Sequence, residues 1–209
     1  MLATEILRGE HRVIEQVVGC LEKLAHQCIT EGKLDQQSAH QALDFFQTFA
    51  DRCHHVKEEA HLFPLLEAKG FPSDCGPTSV MRAEHDQGRR FMQSLADAVD
   101  GAAPGKAEAV QQFASNAQAY ARLLRDHIAK EDQRLFPMTD QALTGADQEA
   151  LVAAFESVED QQAHAETHAK YLRLADELAK RLGVPRSAPA AASVCCHHAA
   201  AGQPHSVAR

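Results

Sequence analysis

The 209-residue chain is 44% hydrophobic and 24% charged, the balance of a folded protein with a core. No run approaches the ~20 apolar residues of a membrane span, and a formal charge of −8 without a basic run argues against a duplex nucleic-acid partner. Thirteen histidines beside two tyrosines and no tryptophan exceed what a fold needs and point to metal, a tag or a pH switch.

The N-terminus lacks a basic-then-apolar leader. Six cysteines show no small-domain disulfide framework and read as reduced thiols, so a cytoplasmic protein is expected. In the first segment Leu7, His11, Ile14, Val18, Leu21, Ala25 and Cys28 step by four and three, the seam of a bundle helix that Gly32 ends. A second helix runs from about Ser38 through Leu43, Phe46, Ala50, His54, Glu58 and Leu62 to Leu65, with Pro64 expected to kink or finish it. The loop KGFPSDCGP follows. A third helix carries Met81, His85, Gly88, Met92, Leu95 and Val99 in the same stepping. After GAAPG, a fourth carries Val110, Phe113, Ala117, Tyr120, Leu124, His127, Glu131 and Leu135. A fifth is expected over roughly 147–182, with Leu151, Phe155, Val158, Ala165, His168 and Leu172 on one face. Residues 184–209, with three prolines, many alanines and no acid, read as a disordered tail. No strand alternation occurs. The chain therefore reads as all-α: an antiparallel up-down-up-down four-helix bundle over 1–140, an additional helix packed on it over 141–183, and the tail.

The second and fourth helices share a repeat. HHVKEEAHLFP (54–64) and HIAKEDQRLFP (127–137) match at six of eleven positions. In each, a His and a Glu lie four apart on one helix face, so both can reach one metal centre. His11 and His85 occupy seam positions where an apolar residue is expected. At ~1.5 Å per residue, antiparallel packing brings His11, His54, Glu58, His85, His127 and Glu131 to within roughly 9–18 Å of the same bundle end. Any one of these histidines alone would read as a hydrogen-bonded core residue. Six in phase, and duplicated, read as metal ligands. Imidazole suits iron, zinc or copper, and carboxylates can bridge two harder cations. Zinc usually takes four ligands, so six argue for two metals.

With these residues the chain resembles the hemerythrin-like (HHE cation-binding) family, over roughly residues 3–140, through His11, His54-x3-Glu58, His85, His127-x3-Glu131 and both LFP runs. The resemblance implies an antiparallel bundle holding two irons per chain, an oxo- or hydroxo-bridged pair bridged also by Glu58 and Glu131. It implies a small ligand: O₂, NO or H₂O₂, bound or redox-processed. Family members bind O₂ or NO, sense oxygen or iron, decompose peroxide, or deliver iron for iron–sulfur repair. The alternative is a sensing or interaction protein whose metal is structural; if the chain is an enzyme, it is a di-iron oxidoreductase. Oxygen carriers have two histidines four apart on the third helix, where this chain has Met81 and His85. One iron is thus expected to lack a nitrogen, leaving it open or filled by water, His55, Glu59 or His168. Met81 is expected to line the pocket.

Other residues keep two readings. Glu59 and Glu84 are solvated or stand behind the ligands, or else serve ligand exchange or proton transfer. Tyr120 packs in the core or lines the pocket and bonds an oxygen species. His164 and His168 form a metal pair or lie on the surface. Cys20, Cys28 and Cys53 read as small core residues, Cys75 as a loop thiol, and Cys195-Cys196-His197-His198 as a soft-metal scavenger or low-complexity sequence.

Overall fold

The computed structural model describes residues 2–102, 106–161 and 165–186; the expected tail and its CCHH run, like His164, fall largely or wholly outside them. Four long helices form the bundle. The first, α1, is Ala3–Glu31. The second, α2, is helical throughout 36–68: α-helical Gln36–Phe45, π-helical Phe46–His55, π-helical Glu58–Leu62 and α-helical Phe63–Ala68. The third, α3, is Pro77–Gly101. The fourth, α4, joins Ala107–Lys130, a π-helical turn Glu131–Leu135 and Phe136–Ala142. Contacts run α1 to α2, α2 to α3, α3 to α4 and α4 back to α1, which closes the ring.

The ends follow from local chemistry. Gly32 takes φ 66° and returns its N–H to the Cys28 carbonyl, closing α1. Asp35 caps α2 by accepting from the Ser38 N–H. At Gly76, before α3, a Cβ would lie 2.2 Å from the Pro72 carbonyl oxygen, so only glycine fits.

Neither proline of the repeat ends its helix. Pro64 and Pro137 have no N–H, and their rings crowd the carbonyl four residues back. The chain answers with a wider turn, in which the Phe63 and Phe136 N–H groups bond the Glu58 and Glu131 carbonyls five residues earlier. Helix α2 therefore continues past Pro64 to Ala68.

Over the region expected to be helical, the described residues form α5, Gly145–Gln161, and α6, Ala165–Leu182. Leu151, Phe155 and Val158 are buried as expected, but Leu172 is 37% exposed. The burial stepping of Leu151, Phe155 and Val158 is not continued at Leu172. Tyr171, Leu174, Ala175 and Leu178 form the buried face of α6 instead, against α1 and the first part of α2. Tyr171 donates to Asp44 across that seam at 3.0 Å.

The apolar core is divided. A large cluster contains Ile14, Phe46, Phe49, Met92, Phe113 and Leu124; a smaller one contains Leu7, Phe63, Met81, Phe136, Leu151 and Phe155. On α1 the large cluster begins at Ile14 and the small one ends at Leu7, leaving a layer between them at His11. Phe155 also lies 6.0 Å beneath the buried Lys57 ammonium. Replacing Phe155 with Ala should cost about 3–5 kcal/mol by chemical denaturation, the usual range for emptying a buried aromatic site.

Candidate metal centre

The layer between the two apolar clusters is polar. His11 comes from α1, His54 and Glu58 from α2, His85 from α3, and His127 and Glu131 from α4, and none is more than 2% exposed. Their donor atoms fall into two sets, each with all atoms within 4.8 Å of one another. One set is His11, His54, Glu58 and Glu131; the other is His55, Glu58, His85 and His127. Glu58 belongs to both. Its Oε1 lies 3.6 Å from His54 Nε2 and its Oε2 3.5 Å from His85 Nε2. Glu131 Oε2 lies 3.2 Å from His11 Nε2 and 3.3 Å from His127 Nε2.

All four oxygens of Glu58 and Glu131 are buried without a hydrogen-bond partner among the described residues. Native proteins rarely strand even one such atom, and a buried carboxylate costs far more than a neutral group. Two cations between the carboxylates would satisfy all four oxygens, so these residues fit a two-metal group.

Behind the imidazoles stands a ring of acids. His11 Nδ1 bonds Asp132 at 2.8 Å, His54 Nδ1 bonds Glu10 at 2.9 Å, His85 Nδ1 bonds Glu59 at 2.6 Å and His127 Nδ1 bonds Glu84 at 3.0 Å. His55 Nδ1 lies 3.4 Å from Asp51. With Nδ1–H donated outward, each Nε2 lone pair faces inward, the tautomer a metal needs. Cations in turn hold the acids. Lys57 pairs with Glu10 and reaches Glu159 at 2.6 Å, and Lys130 pairs with Glu84. Arg12 pairs with Asp132, and Arg89 spans Asp51 at 2.9 Å and Glu59 at 2.8 Å.

This explains the repeat beyond its His and Glu. In H-x-x-K-E-[DE], the Lys holds the acid that backs its own helix's His, and the final acid backs the His of a neighbouring helix. Glu59 thus supports His85 rather than standing among the donor atoms, and Glu84 supports His127. Glu10, Asp51 and Asp132 do the same work but escape the seam stepping, because they lie beside it. Their signal is the duplicated pairs Glu10-His11 and Glu84-His85.

The remaining candidates separate. His55, adjacent to His54, joins the second donor set and makes five imidazoles where the stepping finds four. His168 joins neither inner set; its ring lies tilted 5.3 Å from that of Phe49, and it gathers with Glu10 and Glu159 in a separate group. Met81 sits in the smaller apolar cluster, not among the residues lining the cavity that reaches the layer; Tyr120 does line it. Cys20, Cys28 and Cys53 are buried, and burial pushes their thiols up to about 12, 11 and 11.

The profile of the hemerythrin HHE cation binding domain matches residues 2–139. The chain belongs to this family. Among its curated relatives, uncharacterized proteins of Mycobacterium bovis and Mycobacterium tuberculosis are 26% identical over 157 residues, covering 75% of this chain and 61% of theirs. The chain thus spans less than two thirds of those relatives' length. The iron-sulfur cluster repair protein YtfE of Enterobacter sp. (strain 638) is 32% identical over 87 residues, 40% of this chain and 39% of that protein. No solved structure matches significantly. No described helix is long and apolar enough to cross a membrane.

The protonation of this HHE layer opposes cation entry. Burial, and then Glu131, push the Glu58 carboxyl well above its ordinary range. Burial opposes a charge on His11, but the bond to Asp132 and the nearby Glu131 carboxylate outweigh it and raise His11 to about 9. A metal must displace these protons, so raising the pH removes its competitor. Competition titrations should show affinity rising about tenfold per unit between pH 6.5 and 9 from His11 alone. Chelated protein should show the opposite trend in melting temperature. The stability from a raised histidine is full below 6.5 and is lost as pH climbs through 9.

Proposed function

We propose that the chain is a di-iron protein that binds or redox-processes O₂, NO or H₂O₂. The observation that carries this reading is the layer itself: four stranded carboxylate oxygens facing five imidazoles in a dry interior. One iron would be held by His11, His54, Glu58 and Glu131. The other would be held by His55, His85 and His127 with Glu58. A mixed set of borderline nitrogen and hard oxygen donors suits iron, whereas a single zinc would use only four of the seven residues. The relative named for iron–sulfur cluster repair supports iron over other metals.

Bound iron would supply the redox change and the point of attachment for the small ligand. The chain's own residues do the rest. Glu58 and Glu131 offset the cationic charge, which a low-dielectric interior could not hold alone. Asp132, Glu10, Asp51, Glu59 and Glu84 fix the imidazole tautomers and orientations. The apolar layers above and below exclude bulk water. His55 stands in for the second third-helix histidine of oxygen carriers, supplied from α2, so the nitrogen deficit expected from Met81 is made good.

Metal analysis of purified protein should find close to two irons per chain. The double variant Glu58→Ala/Glu131→Ala should lose most of both, and His55→Ala should retain about one, because only the second position depends on it. Full iron retention in the double variant overturns the assignment. Full retention in His55→Ala removes His55 from the ligand set.

A further inference from the structure

A cavity of about 260 Å³ opens between α2, α3 and α4 and ends on His55 and His85. It falls below the roughly 300–1,000 Å³ of pockets for drug-sized ligands, so it fits a molecule of a few atoms. The outer rim is polar, with exposed Gln47 and Gln93. Both of its arginines are engaged: Arg89 bonds Asp51, Glu59 and Asp86 at 2.8–2.9 Å, and Arg52 is not free either, so neither guanidinium is left bare to hold an anion. The inner wall is buried and largely apolar, with Gly88, Met92 and Tyr120.

Tyr120 is the exception on that wall. Its residue is only 3% exposed, its ring meets Phe46 edge-on at 5.2 Å, and its hydroxyl bonds no described residue. That hydroxyl is not among the sealed, unpartnered polar atoms of the interior, so it opens on the cavity that Tyr120 lines. Burial also pushes this phenol well above its ordinary range, so it stays a neutral donor. Gly88 faces it across the wall: a Cβ there would meet the Tyr120 ring at 3.5 Å, an ordinary contact, so small side chains fit and large ones fill the passage.

We propose that this cavity is the antechamber through which a small uncharged molecule bearing an oxygen acceptor reaches the His55–His85–His127 position, with the Tyr120 hydroxyl as its hydrogen-bond donor. This rests on the di-iron reading and names the side from which its ligand arrives. It assigns the ligand to one of the two positions.

Two measurements test it, one of which needs no metal. The chain has two tyrosines and no tryptophan, so Tyr171→Phe leaves Tyr120 as the sole strong fluorophore. Dissolved O₂ should quench Tyr120 in that background while bulkier acrylamide should not, and adding Gly88→Leu should abolish the O₂ quenching. In the iron-loaded, reduced protein, Gly88→Leu should slow NO association by about an order of magnitude. Tyr120→Phe should leave iron content unchanged and speed NO dissociation about fivefold, the loss of one neutral hydrogen bond. Equal quenching by acrylamide, or quenching and association unaffected by Gly88→Leu, overturns the antechamber. An unchanged dissociation rate in Tyr120→Phe overturns the donor role. If the wild type holds no iron, the di-iron reading fails, and the quenching experiment still decides whether the cavity admits small neutral molecules.

Discussion

Two carboxylates with no hydrogen bond, sealed in the middle of a helical bundle, are the constraint from which the rest of this structure follows. Burial disfavours charge on both; His127 and His11 nevertheless hold Glu131 low, while Glu58 beside it is pushed up. Their surroundings alternate in character outward: imidazoles, then acids on every imidazole, then Lys57, Lys130, Arg12 and Arg89 on those acids. Each shell offsets the one inside it. Lys130, Arg12 and Arg89 are partly solvated and buried Lys57 reaches the partly exposed Glu159, so the compensation extends to water.

The backbone bends to the same demand. An α-helix separates consecutive side chains by about 100°, so only one of two neighbouring histidines can face the bundle axis. The π-helical stretch Phe46–His55 widens the turn, and both His54 and His55 reach the polar layer. The prolines of the two LFP runs favour the further π turns that begin at Glu58 and Glu131. What looks like a helix-breaking residue is a device for setting the direction of a carboxylate one turn earlier.

That distinction explains what could be read from residues alone. The bundle and the six-residue layer were legible because His11, His54, Glu58, His85, His127 and Glu131 fall on a regular three-and-four stepping that any straight helix would honour. His55 was not, since regular helical phase turns it off the seam. Glu10, Asp51 and Asp132 were hidden for a plainer reason: an acid beside a histidine resembles the solvated surface charge that most acids are. Leu172 misleads because the stepping of Leu151, Phe155 and Val158 does not predict the face that α6 buries, which is Tyr171, Leu174, Ala175 and Leu178.

The bonding pattern around the layer has a two-fold symmetry that the chain itself lacks. Glu10 of α1 backs His54 of α2 just as Glu84 of α3 backs His127 of α4, each within one helical hairpin. Asp132 and Glu59 make the reciprocal links between hairpins. Each hairpin thus carries half of a shared site. The departure from symmetry is one position, His55 against the buried Ile128. By that exchange the two donor sets become chemically unequal, one with three imidazoles and one carboxylate, the other with two of each.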